Sequence, residues 1–232
     1  MKIVRKSSER GSAEFGWLHA KYTFSFGEFY DSKNMGFRKL RVLNEDKVEP
    51  SKGFPTHGHK NMEIVTYILS GVLEHKDSME NSAIISAGEV QVMSAGSGVR
   101  HSEFNHSDTE IVHLLQIWIE SAVINQEPSY QQKSFLHSKE KLTLIVSPNG
   151  ERESLTIKQD VKIYQGMLLE NQDFQYKIKT ERHAWIQIAK GSLFIDDSLE
   201  VFQGDGIAIT EGDIIKFSTK NSVCQFLIFD LP

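Results

Sequence analysis

The sequence predicts a mostly β protein folded as two antiparallel sandwiches or barrels, and three observations carry that expectation. Short runs of β-branched and aromatic residues recur along all 232 residues, usually bounded by Gly, Asn, Asp, Ser or Pro. No convincing apolar stripe of 3.6-residue period extends beyond about two turns. A glycine-punctuated unit occurs twice, once in each half of the chain.

In chain order, the expected strands are 39–43 (KLRVL), 63–69 (EIVTYIL), 90–93 (VQVM), 111–119 (IVHLLQIWI), 142–146 (LTLIV), 184–189 (AWIQIA), 193–195 (LFI) and 224–229 (CQFLIF). The stretch 121–138, SAVINQEPSYQQKSFLHS, is polar and reads as a linker, giving a first domain at 1–120 and a second at 139–232. In the first, Gly71 follows an apolar strand, and Gly88-Glu-Val-Gln-Val-Met-Ser-Ala-Gly96 comes later. In the second, Gly191 is followed by Gly204-Asp-Gly-Ile-Ala-Ile-Thr-Glu-Gly212 with the same spacing. Glycine relieves the steric cost of positive φ in tight turns, so two copies of one β unit are expected.

The formal net charge of −5 gives no general attraction to nucleic acid or anionic membranes. The single cysteine, Cys224, excludes an internal disulfide and reads as a small buried side chain. The N-terminal segment lacks the apolar core of a signal peptide, and the apolar runs are too short to span a bilayer, so a cytoplasmic protein is expected.

The first half carries the chemistry. Alternate residues of a strand share a face, so His57 and His59 converge on one point, and His101 and Glu103 do likewise. Two such pairs on neighbouring strands supply three imidazoles and one carboxylate, which suit Fe, Mn, Ni, Co, Cu or Zn. Counting from the repeated glycines, the second half offers Lys177, Lys179 and His183 for His57, His59 and Glu63, and Phe217 and Thr219 for His101 and Glu103. An ammonium has no lone pair, so the second domain is expected to be metal-free. His19, His75, His106, His113, His137 and His183 read as ordinary core or surface histidines. Phe24, Phe26, Phe37 and Phe54 are candidates either for a pocket wall or for packing.

Several motifs occur in an order that resembles the pirin family: Arg10-Gly-Ser, Thr23-Phe-Ser-Phe, Gly53-Phe-Pro-Thr-His-Gly-His, Glu63-Ile-Val-Thr-Tyr-Ile-Leu-Ser-Gly, His75-Lys-Asp-Ser and Met93-Ser-Ala-Gly-Ser-Gly-Val-Arg-His-Ser-Glu. The match is dense over residues 10–120 and nearest to the bacterial pirin-like quercetinases. The resemblance implies a bicupin, two double-stranded β-helix (jelly-roll) barrels in one chain. It also implies one divalent metal per chain, iron foremost, on His57, His59, His101 and Glu103. In the general cupin pattern Glu63 would be the carboxylate ligand; the pirin pattern assigns Glu103 and leaves Glu63 as a supporting partner or proton acceptor, with Glu103 and Glu63 the candidate catalytic carboxylates. The implied activity is dioxygenation of a flavonol such as quercetin by O2 with release of carbon monoxide. The alternatives are a non-enzymatic metal-dependent transcription cofactor with a protein partner, or a cupin oxygenase for another substrate. A monomer is expected, since two barrels in one chain can pack on each other.

Overall fold

A computed structural model describes residues 1–210 and 214–232, almost entirely as strands. Each expected strand is present, most of them longer than the apolar run that announced them. Residues 63–69, for example, extend to Met62–Ser70, whose interior is buried on both faces and therefore shows no alternation of apolar and polar side chains.

Contacts divide the chain into two compact units. One comprises residues 11–137 and 155–159. Its larger sheet orders the strands Ser129–Ser134, Glu89–Ser94, Met62–Ser70, Val112–Glu120, Leu40–Val48, Leu18–Tyr22 and Gly11–Glu14. Its smaller sheet orders Gly53–His59, Val99–Asn105, Val72–Asp77 and Ser82–Ser86. The pairing is antiparallel throughout. Ile68, Leu73, Ile85, Val112 and Leu114 form part of its core, with Ile64, Met93, Ala95 and Val99 as a second cluster.

The other unit comprises residues 1–10, 138–154 and 160–232. Its larger sheet runs Lys2–Arg5, Gly206–Ile209, His183–Lys190, Cys224–Leu231, Lys162–Leu168 and Leu142–Ser147. Its smaller sheet runs Asp173–Lys177, Ile214–Ser218, Ser192–Ile195 and Leu199–Phe202. Apart from the outermost strands of the larger sheet, this is the strand order of the first unit. Gly71 and Gly191 share φ near 80°, and so do Gly88 and Gly204. At Gly191 a Cβ would also come within 2.1 Å of the Val223 carbonyl oxygen. Gly212, the last glycine of the second copy, lies outside the described residues.

These units are drawn differently from the expected 1–120, 121–138 and 139–232. The polar stretch taken for a linker contains the strand Ser129–Ser134, paired along Glu89–Ser94. Residues 1–10 cluster with the C-terminal half, because Lys2–Arg5 pairs with Gly206–Ile209. Neither segment has the apolar character by which the other strands were recognised.

Candidate metal centre

Gly53–His59 lies beside Val99–Asn105, with His57 directly opposite His101 and His59 opposite Val99. Between His101 and Glu103 the register shifts, so that Glu103 faces Phe54. Two residues on one strand thus span three on the other. The extra residue falls at Pro55–Thr56, where a proline without an N–H fits a bulge. The bulge turns the Pro55 carbonyl to accept a 2.8 Å hydrogen bond from His57 Nδ1. That bond fixes the tautomer, leaving a lone pair on Nε2, which faces His101 Nε2 at 3.1 Å.

One ring nitrogen from each of His57, His59 and His101 lies within 4.8 Å of the other two. Burial, reinforced by the other imidazoles, lowers His101 to about 3 and His59 to about 4. Both rings are therefore neutral donors at physiological pH. Three imidazole nitrogens converging at this spacing fit a transition cation. The Trp118 and His59 rings pack T-shaped with centroids 4.9 Å apart.

Glu103 enters differently from the expected four-ligand set. Its carboxylate falls in a second, fully buried group with His101 and His75, also within 4.8 Å. It accepts 2.7 Å from Gln116 Nε2, and the Thr66 hydroxyl lies 3.2 Å from its other oxygen. Burial outweighs these bonds and raises its pKa to about 7. Behind it, His75 contacts Asp77 at 3.0 Å, both side chains wholly buried. Asp77 is held below the usual carboxylate range despite burial, because His75, Asn81 and Met79 N–H bond to it.

Glu63 does not join the histidines. The expected shared face requires one continuous strand, but Lys60 and Asn61 form a turn, with Asn61 at φ 53°, and alternation restarts beyond it. Thr66 reaches Glu103, so Glu63, three residues earlier, lies on the other face of the sheet. There its Oε2 accepts 2.6 Å from Ser94 Oγ and 3.2 Å from the Lys158 backbone N–H. Of the other histidines, His113 meets Glu45 at 2.9 Å, His106 meets Glu74 at 3.3 Å, and His19 pairs with Glu14. His75 was not legible as a site residue. Neither were Thr66, Gln116, Asn44, Asp46 and Trp118, although polar residues embedded in apolar strand runs are the signal that marks the first four.

The triad forms one wall of an inner chamber of about 70 Å³, shared with Asn44, Asp46, Glu103, Gln116, Trp118 and the aromatic Tyr22. Leu18, Tyr22, Phe26 and Phe54 also line an adjoining groove of about 630 Å³, together with Phe15, Trp17 and Phe29. Phe26 and Phe54 thus act as cavity walls. Phe24 is buried in the core, and Phe37 bridges to Leu40.

In the second unit the equivalent positions differ from those counted on the sequence. The connection between Asp173–Lys177 and His183–Lys190 is five residues, against two in the first unit. The counterpart of His57 is accordingly Phe174, paired with Phe217 as His57 is with His101, and Tyr176 replaces His59. Lys177 and Lys179 are not the counterparts. Phe174, Phe217 and Phe226 stack at 4.8, 5.4 and 6.0 Å with interplanar angles of 9°, 7° and 16°. Apolar rings occupy the space that holds nitrogen donors in the first unit.

The family model described as Pirin matches residues 3–119, and one described as quercetinase C-terminal cupin domain matches 144–231. A protein named quercetin 2,3-dioxygenase from Escherichia coli is 44% identical over 232 residues, covering 100% of this chain and 99% of that protein. A pirin-like protein from Caulobacter vibrioides is 36% identical over 217 residues, covering 92% and 93%. The crystal structure of the bacterial pirin YhhW from Escherichia coli, in complex with nickel(II), superposes with a TM-score of 0.95 at 43% identity, covering 100% of this chain and 99% of that one. With two barrels of one strand order, a histidine triad in the first and matches along the full length, the chain belongs to the pirin family.

Proposed function

We propose that the chain is a metal-dependent dioxygenase of flavonols, holding one divalent transition ion on His57, His59 and His101 with Glu103 as the fourth ligand. The observation that carries this reading is the convergence of three imidazoles on a chamber that adjoins an aromatic groove. The nickel complex of the related YhhW and the name of the Escherichia coli relative support it.

A bound ion would polarise an oxygen of the substrate and lower its pKa. The chain's own groups supply the rest. His57 is oriented by the Pro55 carbonyl and His59 by T-shaped packing against Trp118. The groove is within the roughly 300–1,000 Å³ range of small-molecule sites, whereas the inner chamber is far too small for a three-ring compound. The flat rings therefore lie among Trp17, Phe26, Phe29 and Phe54, and only the reacting edge enters. Glu103 is the carboxylate placed to take the proton from the 3-hydroxyl, and Gln116 and Thr66 hold it in place meanwhile.

Loading with Fe, Mn, Ni, Co or Cu under nitrogen, then adding quercetin and air, is expected to bleach the flavonol absorption band with carbon monoxide release. No bleaching with any of these ions refutes the activity. His57→Ala combined with His59→Ala is expected to abolish metal retention in a folded protein; full occupancy by elemental analysis refutes the ligand assignment.

A further inference from the structure

Two buried ring nitrogens at the back of the triad have no hydrogen-bond partner, Nδ1 of His101 and Nδ1 of His75. The strands Val72–Asp77 and Val99–Asn105 pair so that His101 stands opposite Asp77 and Glu103 opposite His75. The His75 and His101 rings are centred 5.4 Å apart and tilted by 51°, and one nitrogen of each lies within 4.8 Å of the other. His75 is fixed on its far side. Both Asp77 oxygens accept, Oδ1 from the Met79 and Asn81 backbone N–H groups and Oδ2 from Asn81 Nδ2. The His75 nitrogen that faces this carboxylate at 3.0 Å is Nε2, and it must carry the ring's proton, because a lone pair there would be repelled. Nδ1 is then left with a bare lone pair. Tyr130 packs on the same ring with centroids 4.9 Å apart, which limits its rotation.

His101 has the complementary need. A histidine that gives Nε2 to a metal keeps a proton on Nδ1, and such ligands almost always donate it to an acceptor behind them. His101 Nε2 faces His57 Nε2 at 3.1 Å, so Nδ1 is the nitrogen left to donate. The second unit supplies a comparison within the same chain. Its strand in the place of Val72–Asp77 is Ser192–Ile195, whose buried residues Leu193 and Ile195 pack in one cluster with Phe217 and Phe226. The imidazole–carboxylate pair accompanies the triad, and aliphatic residues accompany the phenylalanine rings. A buried polar pair is a weak source of stability beside aliphatic packing, so stability alone does not account for it.

We infer that His75, set by Asp77, is a positioning residue for the metal centre: its Nδ1 accepts the His101 Nδ1 proton, directly or through one bridging water, and so aims His101 Nε2 at the ion. The chain Asp77–His75–His101 holds the ligand ring at one angle and strengthens its donor nitrogen. This inference rests on the ligand assignment above and extends it to the side chains behind the ligands.

The test uses zinc, a diamagnetic probe. Imidazole nitrogen-15 spectra of the zinc-loaded protein distinguish bare, protonated and metal-bound ring nitrogens. The expected pattern is a proton on His75 Nε2 with Nδ1 bare, and zinc on His101 Nε2 with a proton on Nδ1. Zinc affinity, measured by competition with a chromophoric chelator, is the second readout. His75→Phe, which keeps a ring against Tyr130, is expected to weaken zinc binding about 10–100-fold. His75→Gln, which keeps a donor for Asp77 and an acceptor for His101, is expected to recover most of that loss, a rescue that packing alone does not give. A proton on His75 Nδ1 overturns the inference, whether Nε2 has lost its own or a doubly protonated ring has turned to Glu103. So does a folded His75→Phe protein with unchanged zinc affinity, or a folded His75→Gln protein that binds zinc no better than His75→Phe is expected to. If His75→Phe does not fold, the spectra and His75→Gln decide. Zinc held on His57, His59 and His101 without the expected His75 pattern leaves the ligands standing and removes the inference alone. A wild-type protein that takes up no zinc removes the ligand assignment and the inference with it.

Discussion

His59 and His101 are kept neutral chiefly by burial, with folded-state pKa values of about 4 and about 3. A depressed pKa contributes stability that is present above the ordinary imidazole value and is lost as pH falls from about 6.5 through the folded values. The metal-free protein is therefore expected to melt at progressively lower temperature between pH 6.5 and 4. The same neutrality should let the loaded protein retain its ion at pH 5.5, where an ordinary imidazole site is mostly protonated; elemental analysis after equilibration decides this. Glu103 has the opposite sign. Its carboxyl is raised to about 7, so its contribution is full below about 4.5 and is lost as pH rises through 7. Glu103→Gln should raise the melting temperature of the metal-free protein at pH 8, leave it unchanged at pH 4.5, and lower turnover by about 10²-fold or more. At this scale, strand alternation made His57, His59 and His101 legible. The same rule failed for Glu63 because a two-residue turn resets it, and nothing in residue spacing announces that turn.

The element that positions the site is the pair Gly53–His59 and Val99–Asn105. A Cβ on Gly53 would lie 2.2 Å from the Glu103 carbonyl oxygen and 2.5 Å from Phe104 Cα, so glycine is required there by close approach of two backbones. Gly53→Ala should push the strands apart beside the bulge, costing about 1–3 kcal/mol by analogy with overpacked cores and weakening metal retention with it. Denaturant titration and elemental analysis measure the two effects, and a variant with unchanged midpoint and occupancy refutes the close-approach argument. Legibility also divides at this scale. Strands buried on at least one face, such as Met62–Ser70 and Cys224–Leu231, are apolar and were readable. Ser129–Ser134 and Asp173–Lys177 are only partly buried and carry few apolar residues, so burial left no pattern in them.

Across the whole molecule, one strand order is used twice with two interiors, one lined by imidazoles and one filled by phenylalanine rings. The glycine spacing revealed the repetition, but a connection three residues longer in the second copy shifted the sequence count onto lysines. Phe217 is fully buried in the aromatic stack, so Phe217→Ala should cost about 3–5 kcal/mol. Chemical denaturation should register that loss in the C-terminal unit. The strand Lys2–Arg5, which completes the sheet edge at Gly206–Ile209, has a further consequence. Its partner leaves the ribosome roughly 200 residues later, about 10–40 s at usual elongation rates. During that interval the nascent segment has no place to dock, and a tag or chaperone bound there would delay completion of the second barrel while leaving the first free to form.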